Sequence, residues 1–370
     1  MEGRGCGRAQ QPFLVENVSR MAKLIIHVDG SKEVGFGHLG RMQSLVEIIG
    51  CAATVVTMTP GSAGFFFDAS RIQIVPTLSR MEIDTELKRL SRPGDVVILD
   101  PPYYPHTPGS GAGEAWQDLS RTLRDTGVFV VRITDEETAS VHDCDLLVND
   151  HPAAVRQVGR YREAGDIGSA MVGPEYFIVD PCHHAARPQS NGLLVCLGGT
   201  DQNDLSLRFR DAFRDVARHH EVTVISNSPD LGAVTLPDNL VVKSIMPRPD
   251  FSSLLKGATL VFTASGNLLF ERIFHHRPGL SVSQFARQEL IGLAFQERGL
   301  TRHLGPGQGV PTAMLTEVIL GLMASKDERN RQIDVCKKLC IASGSGRIVS
   351  AIMALMADHG RHGGGKRHAI

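Results

Sequence analysis

The chain has 370 residues, 42% of them hydrophobic and 21% charged, with 39 Lys and Arg against 40 Asp and Glu. That composition belongs to a globular protein long enough for two domains with separate cores. The balanced charge argues against a broad nucleic-acid or anionic-membrane surface, and no apolar run approaches the ~20 residues that a stable membrane span needs. Seven cysteines, scattered from Cys6 to Cys340, form neither a disulfide framework nor a Cys-x-x-Cys pair, and read as reduced thiols of a cytoplasmic protein.

In chain order, residues 1–20 are polar without the apolar stretch of a signal peptide. They are set aside as a leader expected to be disordered, with Met21 as a candidate start. Leu24 to Val28 is a short apolar run that predicts a buried strand. Asp29-Gly30 ends it, Gly35-Phe36-Gly37 makes a glycine loop, and from His38 onward Leu39, Met42, Leu45, Val46 and Ile49 recur at helical spacing. Strand, glycine loop and helix in that order let backbone N–H groups approach an anionic ligand, whose charge the helix dipole favours, with His38 beside it. The same glycines serve a tight turn equally well, and their spacing is not the dinucleotide fingerprint.

Ala53 to Met58, Ile72 to Val75, Val96 to Leu99, Val128 to Ile133 and Leu146 to Val148 read as further buried strands, with helical patterns over Met81 to Leu90 and Ala115 to Asp125. Strands alternating with helices predict a parallel sheet. Phe65-Phe66-Phe67 reads as core or helix edge. Asp143-Cys144-Asp145 has D-x-D spacing but reads as the start of a strand.

Residues 173–191 are rich in Pro, Gly and polar side chains and predict an interdomain connection. Cys182, His183 and His184 lie within it; three adjacent residues cannot complete a tetrahedral metal site, so they read as a solvent-exposed linker. The N-terminal domain is accordingly bounded at 21–172. A second α/β half then opens with Leu193 to Leu197, the loop Gly198-Gly199-Thr200-Asp201 and a helix over Leu205 to His219. Further strands are predicted at Val222 to Ile225, Leu240 to Val242, Leu260 to Thr263 and Gly279 to Val282. Helices are predicted over Leu268 to Phe274, Gln288 to Arg298, Thr312 to Met323 and Arg347 to Met356. The second domain is bounded at 192–358, and 359–370 read as a disordered low-complexity tail.

In the second half, Ala264-Ser265-Gly266-Asn267 is a small-residue turn before a helix, another offer of N–H groups to a phosphate. Glu271, one turn in, is placed to accept from ribose hydroxyls or, as a solvated helix residue, to pair with His275 at i+4.

Taken together, these motifs resemble a known family. Asp29-Gly30-x4-Gly35-x-Gly37-His38-x-x-Arg41 resembles the N-terminal signature of the nucleotide-sugar hydrolases of the pseudaminic acid pathway, shared by the related spore-coat polysaccharide proteins. His142-Asp143-Cys144-Asp145-Leu146-Leu147, Gly173-Pro174-Glu175-Tyr176, Gly198-Gly199-Thr200-Asp201 and the stretch Ser265 to Glu271 with Gln288 follow in the family's order, over roughly residues 24–300. The resemblance implies a GT-B fold: two Rossmann-like domains with parallel sheets facing a central cleft, and UDP held mainly by the second.

It further implies His38 as the base that activates water for attack on the anomeric carbon, with Asp29 and Tyr103 in the catalytic set. Gly35, Gly37, Arg41, Tyr104, Gly199, Thr200, Ser265, Gly266, Asn267, Glu271 and Gln288 would bind the substrate, with neither metal nor cofactor. The implied partner is a nucleotide-sugar, with UDP as the nucleotide. Three departures stand out. The family's D-x-Y appears as Asp100-Pro101-Pro102-Tyr103-Tyr104, which leaves open which tyrosine meets the sugar. Its Ser-Thr pair is replaced by Asn267-Leu268, and Thr134-Asp135-Glu136 stands where an Asp-Asp pair is usual. The first expectation is a hydrolase of a UDP-activated amino or deoxy sugar; the alternatives are a glycosyltransferase using the same cleft and a noncatalytic GT-B binding protein.

Overall fold

The computed structural model describes residues 22–31, 35–101, 112–137, 142–163, 166–189, 192–232 and 236–357, the side chains of 112–115 and 162–163 excepted. Tyr103, Tyr104, the expected leader and the expected tail lie outside the described residues.

In the first half the chain runs β1 (Leu24–Val28), α1 (Gly37–Ile49), β2 (Ala53–Thr57), α2 (Pro60–Phe66), β3 (Ile72–Pro76), α3 (Arg80–Leu90), β4 (Val96–Asp100), α4 (Ala112–Asp125), β5 (Phe129–Thr134), β6 (Cys144–Asn149), α5 (Val158–Glu163) and β7 (Ile167–Val172). After the connection with α6 (Cys182–Ala185), the second half runs β8 (Leu193–Cys196), α7 (Leu205–Arg208), α8 (Arg210–Ala217), β9 (Val222–Ile225), β10 (Leu240–Lys243), α9 (Arg248–Gly257), β11 (Leu260–Ala264), α10 (Asn267–Phe274), β12 (Gly279–Ser283), α11 (Ala286–Glu297), β13 (Arg302–Pro306), α12 (Thr312–Ala324), α13 (Lys326–Lys338) and α14 (Gly344–Ala357).

The apolar runs read from the sequence are the sheet centres. β1 and β4 are buried at every position, as expected of parallel strands covered on both faces. Strand pairing is parallel throughout, in the orders β3-β2-β1-β4-β5-β6-β7 and β10-β9-β8-β11-β12-β13. Each sheet starts at its centre, grows one way, then returns and grows the other way. That reversal opens a crevice at the carboxyl ends of β1 and β4, and a second at those of β8 and β11, where doubly wound sheets bind ligands. Edge strands β7 and β13 escaped the sequence reading because they lack apolar runs. Gly168, Ser169 and Ala170 occupy the first, and β13 reads RHLGP with His303 as its one buried residue. The helix expected over Leu205 to His219 is divided at Phe209 into α7 and α8.

Among the described residues, two segments cross between the halves. The connection expected to be a solvent-exposed linker is buried from Phe177 to Asp180 and at His183, and exposed at His184, Ala185 and from Arg187 to Gln189. Ile178 joins the first core, while Phe177 and Val179 join a cluster with Leu269 and Phe270 of the second half, and Phe177 stacks on Phe270 with ring centroids 4.5 Å apart. His183 is 3% exposed. Helix α14, read from the sequence as part of the second domain, returns to the first, where Ile348, Ile352 and Leu355 complete the core built by Leu24, Ile26, Leu45 and Ile98. By length and composition Lys326–Ala357 is apolar enough to cross a membrane. It is instead two helices separated at Cys340, whose backbone is left-handed, and the apolar face of the second lies in the core of the first half.

Asp143 and Asp145 brace the start of β6. Asp143 accepts from Arg121 Nη2 at 2.8 Å and Gln117 Nε2 at 3.1 Å, and Asp145 accepts from the Val130 N–H at 2.7 Å. They lie at the amino end of the strand, opposite the crevice.

Candidate active site in the interdomain cleft

The reversal of strand order brings the end of β4 next to the loop that follows β1. His38, in the first turn of α1, thereby meets Asp100, the last residue of β4. Nδ1 of His38 lies 2.8 Å from Asp100 Oδ1. Arg41, one turn further along α1, donates from Nε to Asp100 Oδ2 at 2.7 Å and from Nη2 to Oδ1. The Asp100 side chain is wholly buried, whereas His38 keeps 12% exposure. Burial alone would raise the Asp100 carboxyl; the facing Arg41 and His38 overcome that and hold it well below the usual carboxylate range.

The partners of Nδ1 set the chemistry of the ring. Arg41 Nη2 is also 2.9 Å from Nδ1, and a guanidinium only donates. A proton on Nδ1 is donated to the carboxylate and leaves Nε2 as a base; a bare Nδ1 would accept from Arg41 and leave Nε2 as a donor. The charge of Asp100 favours the first tautomer. Nε2 makes no hydrogen bond among the described residues, so the basic nitrogen is the one left for a ligand.

Around this dyad stands a second layer of charge. Asp150 Oδ2 is 3.9 Å from Arg41 Nη1, and burial, with Asp135 and Asp100 nearby, pushes its carboxyl up to about 7 despite Arg41. Asp135, in the Thr134-Asp135-Glu136 segment, is ion-paired with Arg287 of α11 and its backbone carbonyl accepts from Arg287 Nη2 at 2.9 Å. The segment carrying Asp135 is thus tied to the second half through the helix that carries Gln288.

Across the cleft, the N-termini of α1 and α10 approach each other. A Cβ on Gly37 would lie 3.0 Å from Asn267 Nδ2, a tight contact that the Asn267 side chain would have to relieve. Neither helix has a side-chain cap or an acidic residue in its first turn. Both therefore direct first-turn N–H groups and the positive ends of their dipoles at the same space, which suits a multiply charged anion. Upstream, Gly35 closes the loop with its N–H on the Ser31 carbonyl at 2.8 Å.

Other expected site residues sort differently. Asp29 is 1% exposed and its carboxylate accepts from Thr57 Oγ1 at 2.7 Å and the Met58 N–H at 2.6 Å, a brace that fixes the end of β1. Arg41 lies beneath His38 and holds Asp100. Ser265 is fully buried: its N–H donates to the Val282 carbonyl at 2.9 Å and its hydroxyl turns to Val282 O and His303 Nδ1. The β11 burial pattern continues through this residue and turns its hydroxyl inward; Gly266 and Asn267 follow, half-buried and exposed.

Gln288 accepts from the Gln284 N–H at 3.0 Å through Oε1 and sets Nε2 beside Gly266. Gly199 and Thr200 are exposed at the end of β8. Their loop is locked by Asp201, which accepts from the N–H groups of Leu205 and Ser206 and from Gln284 Nε2 at 2.9 Å. Glu271 does not pair with His275; its Oε2 faces His183 Nε2 at 3.7 Å. Asp100 and Asp135 were quoted from the sequence without a role at the site, and Asp150, Gln284 and Arg287 were not singled out.

No protein-family model matches the chain. The chain is 26% identical over 315 residues, 81% of its length and 88% of the relative's, to the spore coat polysaccharide biosynthesis protein SpsG of Bacillus subtilis (strain 168). Among solved structures, the glycotransferase of kitacinnamycin superposes with a TM-score of 0.61 at 14% identity, over 91% of this chain and 99% of that one. The UDP-glucose: anthocyanidin 3-O-glucosyltransferase in complex with UDP gives 0.56 at 12% identity, over 90% and 100%. The chain therefore has the GT-B fold of these transferases, with two parallel-sheet Rossmann-like halves, and is similar in sequence to a protein of spore coat polysaccharide biosynthesis.

Proposed function

We propose that this protein is a sugar-transferring enzyme: it takes a sugar from a nucleotide-activated donor, UDP being the nucleotide, and passes it to an acceptor hydroxyl activated by His38. The observation that carries the reading is the His38–Asp100–Arg41 arrangement facing two uncapped helix N-termini. A base held in one tautomer stands at the N-terminus of α1, and the N-terminus of α10 faces it from the other half, so that a diphosphate would lie between the two.

The reaction follows from that layout. The acceptor O–H gives its proton to Nε2 of His38 as its oxygen attacks the anomeric carbon. The bond between that carbon and the diphosphate oxygen breaks, and the diphosphate leaves with the electron pair. Asp100, through Nδ1–H, stabilises the imidazolium that forms, and Arg41 keeps Asp100 ionised and fixed. The dipoles of α10 and α1 stabilise the negative charge that grows on the leaving group. Glu271 accepts from the ribose hydroxyls, and the Gly199-Thr200 loop and Gln288 border the nucleotide. The likeness in sequence to a polysaccharide-synthesis protein supports a saccharide acceptor.

A second reading puts water in place of the acceptor, which makes the protein a nucleotide-sugar hydrolase. It is favoured by the Asp29-Gly30…Gly37-His38-x-x-Arg41 motif, which resembles that of such hydrolases. The test is a panel of nucleotide-sugars assayed for nucleoside diphosphate release in heavy-oxygen water, with and without saccharide acceptors. Transfer predicts slow release strongly accelerated by one acceptor; hydrolysis predicts acceptor-independent release with label on the anomeric oxygen. His38→Ala should lower turnover on the order of a hundredfold or more in either case, with UDP affinity retained; near wild-type turnover would remove His38 from the mechanism.

A further inference from the structure

Beneath the ribose side of the cleft lies a polar cluster that no step above uses. It joins three segments: His183 of α6, Ser252 of α9, and Glu271 with His275 at the end of α10. Ser252 Oγ is 2.8 Å from His183 Nδ1 and 3.2 Å from His275 Nε2, and the two imidazole nitrogens are 2.9 Å apart. His183, Ser252 and His275 are all buried, at 3%, 0% and 5% exposure. On its other edge, His183 Nε2 faces Glu271 Oε2 at 3.7 Å.

The tautomer of His183 decides what it presents to Glu271. If Nδ1 of neutral His183 carried the proton, the lone pair of Nε2 would point at the Glu271 carboxylate. If Nδ1 instead accepts, from the Ser252 hydroxyl or His275 Nε2–H, Nε2 carries its proton on the side of Glu271, whose carboxylate at 3.7 Å is in electrostatic contact, beyond hydrogen-bond distance. The hydrogen bond at one ring nitrogen thus selects which proton the other presents. His275 remains neutral, since burial and the adjacent His183 lower it to about 3.

We infer that His183 is a positioning residue for the nucleotide site: with its tautomer fixed by Ser252 and His275, it orients the Glu271 carboxylate toward the ribose diol. The inference rests on the reading of Glu271 as the ribose acceptor and adds what holds that acceptor in place. It also gives the interdomain connection a role beyond joining the halves. Three residues before His183, Asp180 accepts from the Cys182 N–H at 2.9 Å and is ion-paired with Arg248 of α9. Arg248 Nη1 is also 3.2 Å from Ser44 of α1, and a side chain on Gly40 of α1 would strike the Arg248 guanidinium. The short segment from Asp180 to His183 thus touches both the helix that carries His38 and the carboxylate that would hold the ribose.

The test measures, on the full chain by calorimetry, the affinities for UDP and for 2′,3′-dideoxy-UDP. Variants are His183→Asn, which keeps an amide near Nδ1 but loses the donor toward Glu271, and His183→Gln, which places an amide near Nε2. The expected result is about a tenfold loss of UDP affinity for His183→Asn, no change for the dideoxy probe, and recovery to within about threefold for His183→Gln. Ser252→Ala, which removes only the hydroxyl at Nδ1, should show a partial loss confined to UDP and stands in if His183→Asn does not fold. Equal weakening of both probes would overturn the inference in favour of a packing role, as would unchanged UDP affinity. Glu271→Ala separates the two levels: if it leaves the preference for UDP over the dideoxy probe intact, the ribose reading itself fails. If it abolishes that preference while the His183 and Ser252 variants keep it, only the positioning role fails.

Discussion

The substitution Asp100→Asn tests the site most directly, because it changes charge with almost no change of shape. In the native site the Asp100 carboxylate, with no exposed surface, receives two hydrogen bonds from Arg41 and one from His38. An asparagine has one acceptor and one donor. Its oxygen keeps one Arg41 contact, and its amide then faces Nδ1, to which it donates. The imidazole is driven to the tautomer with a proton on Nε2, which cannot accept one from a nucleophile, so turnover should fall by about 10²–10⁴. Stability should suffer separately. Removing one partner of a buried ion pair costs about 3–5 kcal/mol, but Asp150 lies 3.9 Å from Arg41 Nη1. With the negative charge of Asp100 gone, Asp150 should ionise more readily and offset part of the loss, leaving about 2–4 kcal/mol. Nucleoside diphosphate release and urea unfolding of the same preparation measure the two effects, and calorimetry with UDP checks that the nucleotide half is intact. A variant within a few-fold of wild-type turnover would refute the dyad.

Glu271→Ala should weaken UDP binding by about 1–3 kcal/mol, the range for hydrogen bonds to a charged group, and unchanged affinity by calorimetry would return Glu271 to the role of a surface helix residue. Asp150, whose carboxyl is pushed up to about 7 mainly by burial, holds its proton in the folded protein where the unfolded chain has lost it. Its contribution therefore falls as pH rises from about 4 to about 7, by on the order of 2–4 kcal/mol; Asp150→Asn should be more stable relative to wild type in urea at pH 8 than at pH 4.5, and a pH-independent difference would deny the shift. Ile352→Ala, at a fully buried position of α14, should cost about 2–5 kcal/mol. Because the single tryptophan, Trp116, lies in the first half, its fluorescence midpoint in urea should drop; an unchanged midpoint would detach α14 from that core.

The fold was legible wherever burial on both faces of a strand leaves an apolar run, as at Leu24 to Val28 and Leu260 to Thr263. It was illegible at β13, where only His303 of Arg302–Pro306 is buried. The polar composition of 173–191 concealed an alternation, Phe177 and Val179 to one side and Ile178 to the other, that makes the connection a packed element. In the candidate site, the place of His38 beside the glycine loop was legible, but its contact with Asp100 required topology. Once β1 and β4 are neighbours across the point of reversal, the acid ending β4 is the one that must meet α1. Ser265 was ambiguous because a small hydroxyl residue before a helix fits both a phosphate turn and the last buried position of a strand. Only the depth of β11 in the sheet separates the two.

The return of α14 to the first half means that the polypeptide passes between the lobes twice, once near Phe177–Val179 and again before Gly344. A joint with one covalent strand lets two bodies swivel freely; a joint with two lies closer to a door on a pair of pins, free to swing about the line between the crossings and resistant to twist. Opening of the cleft should then be a single swing about that line. The lobes should also be inseparable by cutting at residue 190: a fragment beginning there would carry Ile348, Ile352 and Leu355 bare, and the piece left behind would lack one wall of its core.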